Sequence, residues 1–117
     1  MTVLIIEDEK DLAESFKDQF EERGLTVYVA ENGRIGLEIL SKVSIDLVLT
    51  DVQMPVMTGM DFLKQAKNLS KHLPPIVVMT GGSPYTSKQF YDAGAAAYFD
   101  KMGLSVDKVM EFSRKSA

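Results

Sequence analysis

Short apolar runs alternate along the chain with segments in which apolar residues recur at the spacing of a helix. The runs are mostly rich in β-branched residues, which is typical of strands buried on both faces of a parallel sheet. The predicted strands are residues 3–6, 25–30, 45–50, 76–79 and 96–99. Because a helix-period segment follows each run, the pattern predicts an α/β fold: a single-domain, doubly wound (βα)₅ arrangement around a parallel five-stranded sheet.

Glycine and capping residues mark the ends of the first two predicted helices. Phe16 and Phe20 lie on one face of the first helix, and Gly24 stands where a left-handed residue ends it. Asn32 is the predicted N-cap of the second helix. Gly36 lies inside that helix, where glycine costs about 1 kcal/mol relative to alanine, so we predict a close backbone approach there.

Proline, glycine and serine set the later boundaries. A turn through Pro55 and Gly59 is predicted to lead into the third helix, and residues 74–75, both proline, to end that strand–helix unit. The loop 81–84 contains two glycines and is predicted to be mobile. Ser105 is the predicted cap of the last helix.

Composition limits the classes of function. A chain of 117 residues with 45% hydrophobic content can bury one core. Its 17 acidic and 13 basic residues create no strong positive field, so we predict no direct nucleic-acid binding and no membrane attachment. The absence of cysteine, of a signal peptide and of a long apolar span indicates a cytoplasmic protein without disulfides.

Unusual polar residues follow four of the predicted strands. Glu7 and Asp8 follow the first strand, Asp51 the third, Thr80 the fourth and Lys101 the fifth. In open α/β sheets the carboxyl ends of the strands form the edge at which ligands bind. We therefore expect three carboxylates, one hydroxyl and one ammonium group to share a site.

Three neighbouring carboxylates repel one another, so the cluster is predicted to raise a carboxyl pKa or to hold a cation. Oxygen ligands favour Mg²⁺ bound together with a phosphate. Asp51 is then a candidate nucleophile that forms an aspartyl phosphate, while Thr80 and Lys101 contact the phosphoryl oxygens. The predicted chemistry is phosphoryl transfer, which depends mainly on positioning and charge neutralisation.

Four stretches of the sequence resemble the receiver domain of two-component response regulators. They are residues 3–9, 51–59, 77–81 and 94–101, and the second contains the pattern Asp-x-x-Met-Pro-x-Met-x-Gly. The resemblance covers essentially the whole chain, so residues 1–117 are predicted to form one receiver domain without an output domain. It implies the flavodoxin-like strand order 2-1-3-4-5.

The resemblance also implies a metal site. It makes Asp51 the phosphoacceptor and Asp8 a direct Mg²⁺ ligand. Glu7 is a second acid that acts on the metal through water, and the backbone carbonyl of Gln53 is a further ligand.

A conformational switch is implied in the same way. Thr80 matches the switch hydroxyl of receivers, Lys101 the lysine that pairs with phosphate, and Tyr98 the rotating aromatic residue. The implied donor is a phosphohistidine of a histidine kinase or histidine phosphotransfer protein. The implied target is a protein that binds the fourth helix, fifth strand and fifth helix. Such a chain is a signalling phosphoacceptor with at most weak autophosphorylation and autodephosphorylation activity.

Three other functions remain open on the sequence. A receiver fold can act as an interaction module without phosphorylation, and the same topology serves flavin-binding electron carriers. A phosphatase with an aspartate nucleophile is the third, although it requires an acid where Gln53 stands. Taken singly, Glu7 and Asp8 could also charge the first turn of a helix, and Lys101 could be a surface lysine.

The sequence departs from the receiver pattern directly after Lys101. Receivers carry a proline there, joined through a cis peptide, whereas this chain has Met102 followed by Gly103. A cis bond before a residue other than proline costs about 2.5–4 kcal/mol, so we predict a trans Lys101–Met102 peptide. Gly103 is predicted to take up the changed chain direction with dihedral angles closed to other residues.

Overall fold

A computed structural model describes residues 1–54, 56–69, 73–82 and 85–116, with side chains as far as Ser113. Five strands and five helices alternate within these ranges. The strands are β1 (Thr2–Ile6), β2 (Thr26–Ala30), β3 (Leu47–Asp51), β4 (Ile76–Thr80) and β5 (Ala97–Asp100). The helices are α1 (Lys10–Glu22), α2 (Gly33–Lys42), α3 (Gly59–Ala66), α4 (Ser87–Asp92) and α5 (Val106–Ser116). Pro55 and the second half of the predicted loop 81–84 lie outside the described residues.

The strands form one parallel sheet in the order β2-β1-β3-β4-β5. This confirms the predicted doubly wound α/β fold with strand order 2-1-3-4-5. Asp51 lies opposite Met79 in the register, and Thr80 lies opposite Asp100. The carboxyl ends of the central strands are therefore level, so the residues that follow them meet at one edge.

Successive residues of a strand point to opposite faces of the sheet, and each face carries its own apolar core. On one face, Leu4 and Val48 belong to a core with residues of α2, α3 and α4. On the other face, Val3 and Leu49 belong to a core with residues of α1 and α5. The strands that lead to the predicted site are thus held on both sides.

The predicted ends of the first helices are confirmed. Gly24 follows α1 with a φ of 82°, and the side chain of Asn32 accepts a hydrogen bond of 2.9 Å from the Ile35 N–H. A Cβ at Gly36 would lie 2.5 Å from the Ile6 Cδ1, so α2 approaches β1 closely at this point. Across the described ranges, none of the helices combines the length and the apolar character needed to cross a bilayer.

Three predicted strands begin too early. The structure starts β2 after Leu25, β3 after Asp46 and β5 after Ala96. Ile45 is buried without belonging to β3, because it packs into the core beneath α2 and α3. Its apolar side chain therefore indicated burial and not strand conformation. Asp46 instead accepts a hydrogen bond of 2.7 Å from the Thr2 N–H at the start of β1.

Helix α4 is six residues long and begins with a capping box that the sequence analysis did not predict. The Thr86 hydroxyl accepts a hydrogen bond of 3.2 Å from the Gln89 N–H, and the Gln89 side chain accepts one of 2.8 Å from the Thr86 N–H. Phe90 anchors the helix in the core with no exposed surface. Helix α5 begins directly after Ser105, at the position predicted from the sequence.

The segment after β5 has the predicted backbone. The described residues contain no cis peptide bond, so the Lys101–Met102 bond is trans. Gly103 has a φ of 82°, in the left-handed region that favours glycine. Met102 is 86% exposed, so its side chain contributes nothing to either core.

Candidate functional site

The acidic residues that follow β1 and end β3 lie together. Glu7, Asp8 and Asp51 each place a carboxylate oxygen within 4.8 Å of the other two. Glu7 and Asp51 are buried, whereas Asp8 is exposed. The predicted cluster of three carboxylates is therefore present at the carboxyl edge of the sheet.

Lys101 bridges the two buried carboxylates. Its Nζ lies 2.7 Å from the Asp51 Oδ2 and 3.1 Å from the Glu7 Oε2. Burial opposes the charged form, but the hydrogen bond to Asp51 and the attraction of both carboxylates outweigh it and raise the pKa of Lys101. The ammonium group is thus a fixed positive charge beside Asp51.

The ionised form of Glu7 is poorly stabilised in the cluster. Its Oε1 accepts hydrogen bonds from the Glu9 N–H at 3.2 Å and from the Lys101 Nζ at 3.3 Å. Its Oε2 is buried without a partner in hydrogen-bond geometry, although the Lys101 Nζ is near. Burial and the neighbouring Asp51 raise the pKa of Glu7 to about 7. The predicted rise of a carboxyl pKa is therefore found at Glu7, with burial as the largest cause and the repulsion from Asp51 as the second.

Asp51 is held at both carboxylate oxygens. The Oδ1 accepts a hydrogen bond of 3.2 Å from the Gln53 N–H, and the Oδ2 contacts Lys101. Gly59 supports this end of β3, because its N–H donates to the Val52 carbonyl at 2.8 Å. A Cβ on residue 59 would lie 2.5 Å from the Asp51 backbone oxygen. The glycine of the Asp-x-x-Met-Pro-x-Met-x-Gly pattern therefore lets α3 begin directly against the strand that carries Asp51.

Thr80 is buried at the end of β4, and its Oγ1 accepts a hydrogen bond of 3.0 Å from the Gly82 N–H. The Gln53 Nε2 donates a hydrogen bond of 2.9 Å to the Gly82 carbonyl. This role of the Gln53 side chain is not predicted by the sequence. The contact joins residues 29 positions apart, and no local pattern signals it.

Tyr98 lies on β5, half-buried against the core on the α4 side of the sheet. Its ring stacks on Phe90 with the centroids 5.2 Å apart and an interplanar angle of 27°. Phe90 also makes an edge contact with Tyr85, at a centroid distance of 5.6 Å. Tyr98 is thereby linked to α4 and to the segment that precedes it.

A cleft of about 470 Å³ opens beside the acidic cluster. Glu7 and Asp8 are among its lining residues, and the others come from α1, from β2 and the turn after it, and from the start of α2. This volume leaves room for an ion with its water ligands next to the carboxylates.

The family model described as response regulator receiver domain matches residues 3–111. The chain belongs to the response regulator receiver family. Curated relatives of this receiver include the transcriptional regulatory protein CpxR of Escherichia coli K12, which is 34% identical over 100 residues. That match covers 85% of the chain and 42% of CpxR. The receiver spans less than half the length of CpxR and of the transcriptional regulatory protein DltR of Streptococcus agalactiae, of which it covers 45% at 32% identity.

A third relative is similar over nearly its full length. Sporulation initiation phosphotransferase F of Bacillus subtilis is 26% identical over 113 residues, which is 97% of the receiver and 90% of the relative. Among solved structures, TrrA of Thermotoga maritima in complex with Mg²⁺-BeF is 28% identical with a TM-score of 0.84. The match covers 99% of the receiver and 98% of TrrA. Sequence and fold therefore agree that this is a signalling domain.

Proposed function

We propose that this receiver accepts a phosphoryl group on Asp51 from the phosphohistidine of a histidine kinase or histidine phosphotransfer protein. The observation that carries the proposal is the buried Asp51 carboxylate, 2.7 Å from the Lys101 ammonium group and part of a three-carboxylate cluster. A carboxylate oxygen of Asp51 attacks phosphorus, the bond from phosphorus to the histidine nitrogen breaks, and its electron pair returns to the imidazole. Lys101 pairs with the charge on the transferred group.

The acidic cluster fits Mg²⁺. One carboxylate oxygen from each of its three acids lies within 4.8 Å of the other two, and the Glu7 Oε2 is buried without a hydrogen bond. Asp8, Asp51 and the Gln53 carbonyl are the proposed direct ligands, and Glu7 acts through water. When bound, Mg²⁺ neutralises charge on the carboxylates and on the phosphoryl oxygens. The solved complex of TrrA with Mg²⁺-BeF supports this assignment by similarity.

Phosphorylation is proposed to change the surface formed by α4, β5 and α5. Thr80 turns its hydroxyl toward the phosphoryl oxygens, Tyr98 follows, and a downstream protein target binds the new surface. The stacking of Tyr98 on Phe90 of α4 supports a link between the switch residue and this face. The receiver acts as a signalling phosphoacceptor, and its own hydrolysis of the aspartyl phosphate is weak.

Incubation with acetyl phosphate and Mg²⁺ tests the proposal. Intact mass measurement should show the addition of one phosphoryl group to the wild type, none in Asp51→Ala, and none when EDTA replaces Mg²⁺. Asp18→Ala is the matched control, because Asp18 is exposed on α1, away from the cluster, and should leave phosphorylation intact. A wild type that stays unmodified would favour the alternative, an interaction module that acts without phosphorylation. Full modification of Asp51→Ala would place the acceptor elsewhere.

A further inference from the structure

The Gln53 side chain connects the loop after β3 to the loop after β4. Its Nε2 donates a hydrogen bond of 2.9 Å to the Gly82 carbonyl. The N–H of the same glycine donates one of 3.0 Å to the Thr80 Oγ1. Gly82 is therefore held at both backbone polar groups, on one side by Gln53 and on the other by the proposed switch hydroxyl.

Among the described residues, these two hydrogen bonds fix the backbone of Gly82. Within the part of the chain that the structure describes, no heavy atom outside its chain neighbours lies within 4 Å of the position of a Cβ at this residue, so the loop is open on that side. Its φ of 143° lies in a region that residues with a side chain rarely adopt. A loop with few buried contacts opens easily, so the loss of one of these bonds is expected to loosen it.

We propose that Gln53 is a positioning residue that holds the Thr80 hydroxyl in its unphosphorylated orientation through Gly82. This inference rests on the proposed function. To donate to a phosphoryl oxygen, the buried Thr80 side chain has to turn toward Asp51, and the bond from the Gly82 N–H is strained or lost. By fixing the Gly82 carbonyl, Gln53 keeps that N–H aimed at Thr80 and so opposes the turn.

The expected size of the effect follows from the strength of a single hydrogen bond. An exposed hydrogen bond contributes modestly to the balance between two states, which corresponds to a change of about 2- to 10-fold in an equilibrium constant. Gln53 thus changes the equilibrium between the two orientations of Thr80 by a modest factor, and the switch itself depends on phosphorylation. Removal of its amide is expected to favour the phosphorylated conformation.

The test compares Gln53→Met with Gln65→Met. Methionine keeps the length of glutamine and adds no charge, but it cannot donate to the Gly82 carbonyl. Gln65 is exposed on α3, and its side chain makes no hydrogen bond within the part of the chain that the structure describes, so it is the matched control. Two quantities are measured for each protein: amide hydrogen exchange of Gly82 without ligand, and the beryllofluoride concentration at half-saturation with saturating Mg²⁺.

Gln53→Met is expected to speed Gly82 exchange and to lower the half-saturation concentration by about 2- to 10-fold, with Gln65→Met unchanged in both. Unchanged Gly82 exchange in Gln53→Met overturns the inference, as does an unchanged or higher half-saturation concentration. If the wild type does not bind beryllofluoride at all, the proposed function fails. Gly82 exchange in the free protein then still decides whether Gln53 holds the loop.

Discussion

At the scale of single residues, Gly59 shows how tightly the end of β3 that carries Asp51 is packed. A Cβ at this position would lie 2.5 Å from the Asp51 backbone oxygen and 2.8 Å from the Val52 Cα. Both neighbours are backbone atoms, so no side chain can turn aside to make room. Any residue larger than glycine has to move α3 away from the strand that carries Asp51.

Gly59→Ala is therefore expected to lower the free energy of unfolding by about 1–3 kcal/mol, the usual cost of overpacking. Phosphorylation by acetyl phosphate should fall with it, because the backbone of Asp51 is displaced. Chemical denaturation and intact mass measure the two effects. Gly81→Ala is the control, since the nearest atom to its Cβ is 4.0 Å away, and its stability should stay within about 0.5 kcal/mol of the wild type. Equal stability of the two variants would contradict the expectation.

At the scale of secondary-structure elements, the stability of α4 depends on its N-terminal cap and on one buried side chain. Six residues form fewer than two turns, and a helix of that length is not stable in isolation. The capping box of Thr86 and Gln89 supplies partners at the N-terminus, and Phe90 supplies burial. Helix α4, one of the two helices on the proposed target surface, thus relies on its cap and on Phe90 and not on its length.

Thr86→Ala should cost about 1 kcal/mol, the typical value of an N-cap. The loss should appear as faster amide exchange across residues 87–92, while the central strands keep their protection. Ser87→Ala is the matched control, because Ser87 is exposed at the first helical position and is not the N-cap. If exchange in α4 rises equally in both variants, the capping box is not what stabilises the helix.

How much the sequence predicts differs between the strand ends and the loops. Glu7, Asp51 and Lys101 were predicted to meet because each follows an apolar run, and the order of parallel strands brings such positions to one edge. The Thr86 capping box was also visible in the sequence as Thr-x-x-Gln, but the weak apolar pattern of α4 concealed it. The contact from Gln53 to Gly82 was not predictable, because it depends on how two loops approach in space. The predicted start of β3 at Ile45 was wrong, because an apolar residue is equally typical of a buried loop position and of a buried strand.

At the scale of the whole molecule, the ionised acidic cluster lowers the free energy of unfolding. Glu7 is buried beside Asp51, and its pKa is raised from 4.5 to about 7. Between these two pH values the folded protein holds a proton on Glu7 that the unfolded chain has released. The free energy of unfolding attributable to Glu7 is therefore largest at low pH in this interval and decreases as the pH rises.

In EDTA, the wild type is expected to lose on the order of 2–3 kcal/mol of stability relative to Glu7→Gln between pH 5 and pH 7. Glutamine cannot ionise, so the difference between the two proteins reports the titration of Glu7 together with its coupling to Asp51 and Lys101. Urea denaturation at a series of pH values measures it. Mg²⁺ should reduce the loss at pH 7 by binding the ionised cluster of the folded protein. Parallel pH profiles for the two proteins would show that Glu7 titrates alike in the folded and unfolded states.

The division of the molecule into two apolar cores bears on how a target would detect the switch. Helix α4 packs in one core and α5 in the other, and β5 runs between them. A partner that contacts both helices therefore binds a surface with two parts. One part is on α4 and the other on α5, and the two helices pack on opposite faces of the sheet. The spacing of the two parts changes when one helix layer shifts against the sheet and the other stays in place. Such a partner senses the distance between α4 and α5. The rigidity of its own binding surface sets how small a displacement of α4 it can detect.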